Sequence, residues 1–275
     1  MSECRFCHAP LRRSFVDLGM QPLANSYVPA VKAGQDEPRY PLHARVCERC
    51  FLVQVDHNVP AEAIFSDYAY FSSYATSWVE HARRYAGAMT QRFGLTQDSL
   101  VVEVASNDGY LLQHFQAAGI GVLGVEPAAN VAVVAEQKGI PSEVAFFNRE
   151  TAQRLRDSGK AADLMVANNV MAHVPELNQF IAGFTILLKP QGVLTVEFPH
   201  LLNLIEQVQF DTIYHEHYSY LSLLAAEKIF AANDLRVFDV EELLTHGGSL
   251  RLFVCHRDAG HADAPGLTNV RAKER

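Results

Sequence analysis

Apolar side chains first recur along this chain with the period of an amphipathic helix. They fall at steps of three and four between residues 74 and 93, and Gly94, a typical helix-ending residue, follows the last of them. The predicted apolar face consists of Tyr74, Trp78, Val79, Ala82, Tyr85, Ala86, Met89 and Phe93. Such a face must be buried, so we expect this helix to pack against the domain that follows it.

After this helix, short apolar runs alternate with helical segments. The predicted strands are residues 100–105, 122–126, 164–168 and 193–198, and the predicted helices between them are 110–118, 128–138 and 177–188. This alternation is typical of a parallel sheet with helices on both faces, so we predict a doubly wound, Rossmann-like α/β domain. Residues 235–241 and 249–255 flank a Gly-Gly turn and predict an antiparallel pair at the edge of the sheet.

Residues 1–70 differ from the rest, because they contain only short strand-like pieces, at 43–47 and 51–55. Four of the five cysteines lie here, in two Cys-x-x-Cys pairs: Cys4 with Cys7, and Cys47 with Cys50. Four thiolates can surround Zn2+ as a closed tetrahedron, which leaves no open coordination position. We expect a structural zinc site and not a redox pair, because neither pair begins a helix after a strand.

The composition argues against several classes of protein. Of the 275 residues, 49% are hydrophobic, and the formal net charge is -8. This charge argues against a broad affinity for nucleic acid, which depends on clustered Lys and Arg. No apolar run approaches the ~18 residues that span a bilayer, and the polar N-terminus lacks the pattern of a signal peptide. We expect a cytoplasmic protein with no nucleic-acid partner and no membrane partner.

The end of the first predicted strand carries the pattern of a cofactor site. Its small residues allow close approach of a ligand, and its two acidic residues would repel the pyrophosphate of a dinucleotide. The chain contains no G-x-G-x-x-G, and a cationic ligand such as S-adenosylmethionine (SAM) suits the acidic residues. The expected contacts with SAM in this segment are Glu103, Ser106, Asn107, Asp108 and Gly109.

Two further strand ends add to the predicted cofactor site. Glu126, followed by Pro127, closes the second strand, where an acidic side chain can accept hydrogen bonds from both ribose hydroxyls. Asn168 and Asn169 follow the next strand and are expected beside the methyl group.

Residues 211–220 concentrate two histidines, a glutamate and three tyrosines after the last parallel strand. The spacing is not H-E-x-x-H, which argues against a hydrolytic zinc site. A polar loop with hydrogen-bonded histidines would be the ordinary interpretation, but the density of proton-transfer groups at this sheet edge favours a catalytic role.

These motifs together resemble the SAM-dependent sugar C-methyltransferases, which install branches on dTDP-linked ketodeoxysugars. The resemblance covers nearly the whole chain and includes the cysteine pairs, D-L-G-M-Q-P at 17–22, Y-F-S-S-Y at 70–74, residues 103–109, N-V-M-A-H-V at 169–174, Y-H-E-H at 214–217 and H-G-G-S-L-R at 246–251. It implies that His217 is the general base that removes a proton beside a ketone. It further implies that Tyr214 and Glu216 position or assist this base, and that Tyr74 and His173 line the sugar site.

The resemblance has one departure. Members of that family continue into a second α/β domain, whereas this sequence stops at Arg275, so we expect a shortened relative, a truncated chain, or half of a split enzyme with a separate partner. The predicted organisation is a zinc module (1–70), a connecting helix (71–95), the SAM-dependent domain (96–256) and a polar tail or the start of a further domain (257–275).

Two other functions stay open at this stage. One is methyl transfer to oxygen or nitrogen of another small metabolite, for which His217 would matter less. The other is a non-catalytic module that binds SAM and zinc and takes part in interactions. The sequence does not predict the sugar, the carbon methylated, the stereochemistry or the oligomeric state.

Overall fold

The computed structural model describes residues 2–25, 27–56 and 71–275. The strands are β1 Arg13–Gln21, β2 Tyr40–Val46, β3 Val53–Val55, β4 Leu100–Val104, β5 Gly121–Val125, β6 Ser142–Glu143, β7 Ala162–Asn168, β8 Leu188–Pro199, β9 Ser219–Tyr220, β10 Leu235–Leu243 and β11 Ser249–His256. The α-helices are α1 Thr76–Phe93, α2 Leu112–Ala117, α3 Ala129–Gln137, α4 Arg149–Asp157, α5 Leu177–Leu187, α6 Leu201–Glu206, α7 Leu223–Ala231 and α8 Pro265–Lys273. Residues 57–70 of the predicted zinc module, including Tyr70 of the Y-F-S-S-Y motif, lie outside the described residues.

The larger sheet has seven strands in the order β10-β11-β8-β7-β4-β5-β6. The five strands from β8 to β6 are parallel, whereas β11 pairs antiparallel with both β8 and β10. The predicted α/β domain with an antiparallel pair at its edge is therefore confirmed. All five parallel strands direct their carboxyl ends to one edge, where ligands bind in sheets of this kind.

Helix α1 packs on one face of this sheet, as its apolar period predicts, but it begins at Thr76, so Tyr74 of the predicted face lies outside it. Its residues Tyr85 and Met89 are buried in one cluster with Phe115 of α2 and Val101 of β4. The helix ends at Gly94, which adopts a left-handed backbone with φ of 60°. The other face of the sheet is covered by α4, α5 and α7, and the N-terminal cysteines belong to that second core cluster.

A separate four-stranded sheet has the order β1-β2-β3-β9, and all its pairs are antiparallel. Its first three strands come from the N-terminal module. The fourth, β9, comes from the segment that directly follows the Tyr-His-Glu-His cluster, with Gln54 opposite Ser219 and Val53 opposite Tyr220. The N-terminal module is thus joined to the α/β domain by main-chain pairing at residues 211–220, the reactive segment.

Several elements differ from the predictions. Helix α2 is only six residues long and begins at Leu112, because residues 105–109 make turns that include left-handed backbone at Ala105, Asn107 and Gly109. The tail at 257–275 includes α8, whose Leu267 is buried in the core. Within the described ranges, no helix is both long and apolar enough to cross a membrane.

Candidate active site

The loop after β4 is held in a tight, unusual backbone conformation. Ala105 has φ of 56° and Asn107 has φ of 50°, and neither residue is a glycine. Such backbone costs about 1 kcal/mol or more for each residue and persists where the surroundings enforce it, often at functional sites. Here the Ala105 N–H donates to the carbonyl of Val125 at 2.8 Å, which fixes the loop against the end of β5.

Glu126 fastens the same loop from the end of β5. One carboxylate oxygen accepts from the Asn107 N–H and the other from the Ala128 N–H, each at 2.9 Å. Burial nevertheless raises the pKa of Glu126 above its usual value. Glu126 lines a cavity at the carboxyl end of β5, so an acidic group lies at the strand end where the sequence predicted one.

Two other acids of the motif lie buried behind this loop. Burial, together with the charges of Glu126 and Asp108, raises the pKa of Glu103 well above its usual value. Its Oε2 has no hydrogen-bond partner among the described residues. Asp108 instead pairs with Lys138, whose Nζ lies 3.0 Å from Oδ2, and accepts a hydrogen bond from the Ser73 hydroxyl.

A cavity of about 930 Å³ opens at the carboxyl edge of β4, β5 and β7. The cofactor segments contribute Ala105, Asn107, Glu126, Pro127, Asn168 and Asn169 to its wall. The reactive segment and its neighbours contribute His173, Asp211, Thr212, Tyr214, His217, Trp78 and His246. The predicted cofactor segments and the predicted reactive segment therefore face one space. Four residues of the predicted cofactor set are not among those that line it: Glu103, Ser106, Asp108 and Gly109.

His217 is bonded at both ring nitrogens. Its Nδ1 lies 2.9 Å from the carbonyl oxygen of Thr212, which can only accept, so Nδ1 carries the proton. The Tyr214 hydroxyl lies 3.0 Å from Nε2 and donates to it. Burial lowers the pKa of His217 to about 4, so the imidazole is neutral near pH 7. A main-chain carbonyl thus fixes the tautomer of His217.

His173 lies beside His217, with ring centroids 4.7 Å apart. Its Nδ1 donates to the carbonyl of Glu216 at 3.0 Å. Burial and the proximity of His217 lower the pKa of His173 to about 3. Two neutral imidazoles therefore occupy the same wall of the cavity.

The Glu216 side chain points to the N-terminal module. Its Oε1 accepts a hydrogen bond of 2.8 Å from Nδ2 of Asn25. Tyr74 also lies apart from the cavity wall: it is 78% exposed, and its ring packs on Phe71 with centroids 5.4 Å apart. The proposed assistance of Glu216 and the sugar contact of Tyr74 stay predictions.

The four N-terminal cysteines converge on one point. Their sulfur atoms all lie within 4.8 Å of one another, and two pairs, Cys4 with Cys50 and Cys7 with Cys47, are 3.5 Å apart. Tetrahedral Zn–S bonds of 2.3 Å require sulfurs about 3.8 Å apart, so the donor set fits Zn2+. Nε2 of buried Gln54 donates to the Cys4 sulfur at 3.2 Å, an outer hydrogen bond of the kind that orients metal ligands.

Comparison with known proteins decides the family. Residues 78–240 match the protein family described as "Methyltransferase domain". The chain belongs to the methyltransferase family. The N-terminal part of this methyltransferase, residues 4–65, matches the family described as "Putative zinc binding domain".

Among curated proteins, "C-methyltransferase NovU" of Streptomyces niveus is 36% identical over 275 residues, which are the whole of this chain and 66% of NovU. The methyltransferase thus spans slightly less than two thirds of the length of that relative. A "Ubiquinone biosynthesis O-methyltransferase" of Bartonella quintana (strain Toulouse) is 31% identical over 97 residues, or 35% of this chain and 39% of that protein.

Solved structures share the fold at low sequence identity. Magnesium protoporphyrin IX methyltransferase from Synechocystis PCC 6803 with bound SAH has a TM-score of 0.51 at 17% identity, over 65% of this chain and 83% of that one. An S-adenosylmethionine-dependent methyltransferase from Clostridium acetobutylicum ATCC 824 has a TM-score of 0.51 at 11% identity, over 65% and 92% of the two chains. The α/β domain of this methyltransferase is therefore a class I SAM-dependent methyltransferase fold.

Sequence reasoning did not assign Trp78 or His246 to the site. The sequence placed Trp78 on the apolar face of α1 and His246 in a family motif, but it gave no reason to bring the two together. In the methyltransferase both line the cavity, with ring centroids 5.3 Å apart and planes at 85°. His246 also has φ of 52°, and Trp78 stacks on His81. The only sequence signal was the H-G-G-S-L-R motif itself.

Proposed function

We propose that this methyltransferase transfers the methyl group of SAM to the carbon beside the ketone of a dTDP-linked 4-ketodeoxysugar. The observation that carries the proposal is the hydrogen-bonded pair of Tyr214 and His217, which lines the same cavity as the cofactor loop. The similarity to a protein named C-methyltransferase supports carbon as the acceptor. A carbon acceptor must first lose a proton, and this pair suits that task.

The strand-end loop fits SAM by charge. The sulfonium and amino groups of SAM are cationic, and Glu103 and Glu126 are buried acids whose pKa values burial raises, so a cation nearby would favour their charged forms. Asn107 and Glu126 would hold the adenosine ribose, and Asn168 and Asn169 would flank the methyl group. When bound, SAM supplies an electrophilic methyl group to this end of the cavity.

Tyr214 and His217 would act together as the base. Because Nδ1 carries the proton, the lone pair of His217 is on Nε2, where the Tyr214 hydroxyl bonds. The carbon's proton passes to the Tyr214 oxygen as the hydroxyl proton passes to Nε2. The products are an enolate, a neutral tyrosine and an imidazolium. The adjacent enolate stabilises that imidazolium and offsets the low basicity that burial imposes.

The enolate oxygen needs a hydrogen-bond donor. His173 donates through Nδ1 to a main-chain carbonyl, so in its neutral form Nε2 is an acceptor and suits a sugar hydroxyl. His246 lines the same cavity as His217, whose pKa is lowered by burial and further by the charge of His246. We assign the donor role to His246.

The thiolate cluster would hold one structural Zn2+ through Cys4, Cys7, Cys47 and Cys50. A Cys4 site keeps no position for substrate or water. The metal would therefore stabilise the module and would not bind the substrate directly.

The test is solvent deuterium incorporation at the carbon beside the ketone, followed by NMR on a dTDP-4-keto-deoxysugar in the presence of SAM. We expect wild type to exchange and methylate, and His217→Gln to lose at least about 100-fold in exchange rate while its SAM affinity, measured by calorimetry, is unchanged. His256→Gln, on β11 and apart from the cavity wall, is the matched control and should behave as wild type.

Two results would contradict the proposal. Full exchange by His217→Gln would remove the assigned base. SAM binding by wild type with no exchange on any ketosugar would favour an oxygen or nitrogen acceptor, or a non-catalytic role.

A further inference from the structure

The N-terminal module contacts the reactive segment at successive residues. The Tyr40 ring meets the His215 ring edge to face, with centroids 6.1 Å apart. Further contacts come from Asn25 Nδ2 to Glu216, from the Val55 N–H to the Tyr218 carbonyl at 3.1 Å, and from Gln54, which pairs with Ser219. His217 lies in the middle of this series and turns its ring to the cavity.

Gln54 connects this series to the cysteine cluster. It is fully buried, and its Nε2 donates to the Cys4 sulfur at 3.2 Å. Its Oε1 accepts from the Arg5 N–H at 2.9 Å. Gln54 therefore contacts a thiolate through its side chain and pairs with Ser219 of β9 through its main chain. Ser219 lies only two positions after His217.

We propose that the N-terminal module is a positioning element of the active site, and that Gln54 transmits the geometry of the thiolate cluster to His217. Arg5 strengthens this connection, because its Nη2 donates to the Val55 carbonyl at 2.9 Å and its guanidinium lies over the Tyr218 ring, 5.4 Å from the centroid. The inference rests on the proposed function for the role of His217. It goes beyond that function because it gives the N-terminal module a part in catalysis, which the module exerts through the position of His217.

The physical consequence concerns orientation. A misplacement of about 1 Å in a reacting group can cost on the order of 100-fold in rate, so a small shift of β9 would be felt at the base and not at the cofactor loop. Cofactor contacts come from β4, β5 and β7, which do not pair with the N-terminal sheet. When the connection through Gln54 is weakened, the rate of solvent deuterium exchange should therefore change more than the affinity for SAM.

The test compares Gln54→Met, which removes both amide contacts at similar volume, with Asn25→Gly. Asn25 is exposed and has φ of 58°, so glycine removes its side chain without backbone strain. The matched control is Gln21→Ala, because the Gln21 amide donates within its own module, to the Leu18 carbonyl. Four quantities are measured on the full chain: zinc content, SAM affinity, the pH titration of the His217 imidazole by NMR, and solvent deuterium exchange.

We expect both variants to retain zinc and to bind SAM within about twofold of wild type, while exchange falls about tenfold in Gln54→Met and about threefold in Asn25→Gly. The titration midpoint of His217 should move toward the usual value in both, because a displaced ring is less buried. Unchanged exchange and an unchanged His217 titration in either folded variant would overturn the inference.

Two outcomes separate this inference from the proposed function. If wild type shows no exchange on any ketosugar, the His217 titration alone still decides whether the module positions the ring. If Gln54→Met does not fold, Asn25→Gly decides, since its mutated side chain lies on the surface.

Discussion

At the scale of single residues, Glu103 shows a conflict between stability and ligand binding. The side chain is buried, its pKa is raised by burial and by two neighbouring acids, and its Oε2 has no partner within the described ranges. A group whose folded pKa is raised lowers stability as the pH rises above the usual pKa of 4.5. Near pH 7 a charged Glu103 therefore costs stability, and a bound cation such as SAM would offset that cost.

We therefore expect Glu103→Gln to raise the free energy of unfolding near pH 7 by about 1 kcal/mol and to weaken SAM binding about tenfold. Urea unfolding and calorimetry measure the two effects on the same sample. Glu136→Gln, a change of an exposed glutamate on α3, is the matched control and should alter neither. A variant that is less stable than wild type and binds SAM normally would show that Glu103 has a structural role instead.

The residue types at the site could be predicted from the sequence, but their partners could not. The acids after β4 and at the end of β5 fall where strand-end patterns placed them. The hydrogen bond from His217 to Thr212 and that from Asn25 to Glu216 depend on the path of a loop and on packing between modules. No local pattern encodes either contact, because the second joins residues 191 positions apart.

At the scale of elements, β5 shows how close packing supports the cofactor loop. Gly124 faces Ser106, and a Cβ on Gly124 would collide with the Ser106 side chain and come within 3.3 Å of the Ser142 hydroxyl. The absence of a side chain at this point of β5 lets the loop after β4 lie directly against the strand. Gly87 of α1, in contrast, has open space around its position.

These two glycines make a matched pair of variants. Gly124→Ala should lower the free energy of unfolding by about 1–3 kcal/mol through overpacking and should weaken SAM binding. Gly87→Ala should raise stability by about 0.5–1 kcal/mol, because alanine favours a helix. Thermal unfolding and SAM titration of both variants check this, and equal effects of the two substitutions would show that the contact between Gly124 and Ser106 is unimportant.

The presence of a helix or strand was predictable where apolar residues recur over a long helical period or form a buried run, as for α1, β4, β5, β7 and β8. The predicted start of α2 was wrong by two residues. The residue types at 105–109 suit a helix start as well as the left-handed turns that they form. Helices α4, α6, α7 and α8 were not predicted, although α7 carries buried Ile229 and Phe230. Strand β9 could not be predicted, because two residues carry no period.

At the scale of the whole molecule, the buried histidines link stability to pH. Burial lowers the pKa of His217 to about 4 and that of His173 to about 3, from 6.5. At these two residues the unfolded chain therefore binds more protons than the folded chain below pH 6.5, so the stability that their neutral forms contribute is lost progressively as the pH falls toward these values.

Between pH 7 and pH 5, we expect the free energy of unfolding of His217→Gln to lose about 1–2 kcal/mol less than that of wild type, because the variant lacks the buried imidazole. Urea unfolding at the two pH values measures it, with Gln21→Ala, which removes no titrating group, as the control. An identical pH dependence in His217→Gln would mean that the imidazole is not held in its neutral form.

Strand β9 sets an order of events during protein synthesis. The first three strands of the N-terminal sheet leave the ribosome early, but their fourth strand, residues 219–220, emerges only after the parallel strands of the α/β domain have been made. Contacts between residues so far apart in the sequence form late in folding. The edge of β3 that receives β9 must therefore stay open through most of translation, until residues 219–220 have emerged.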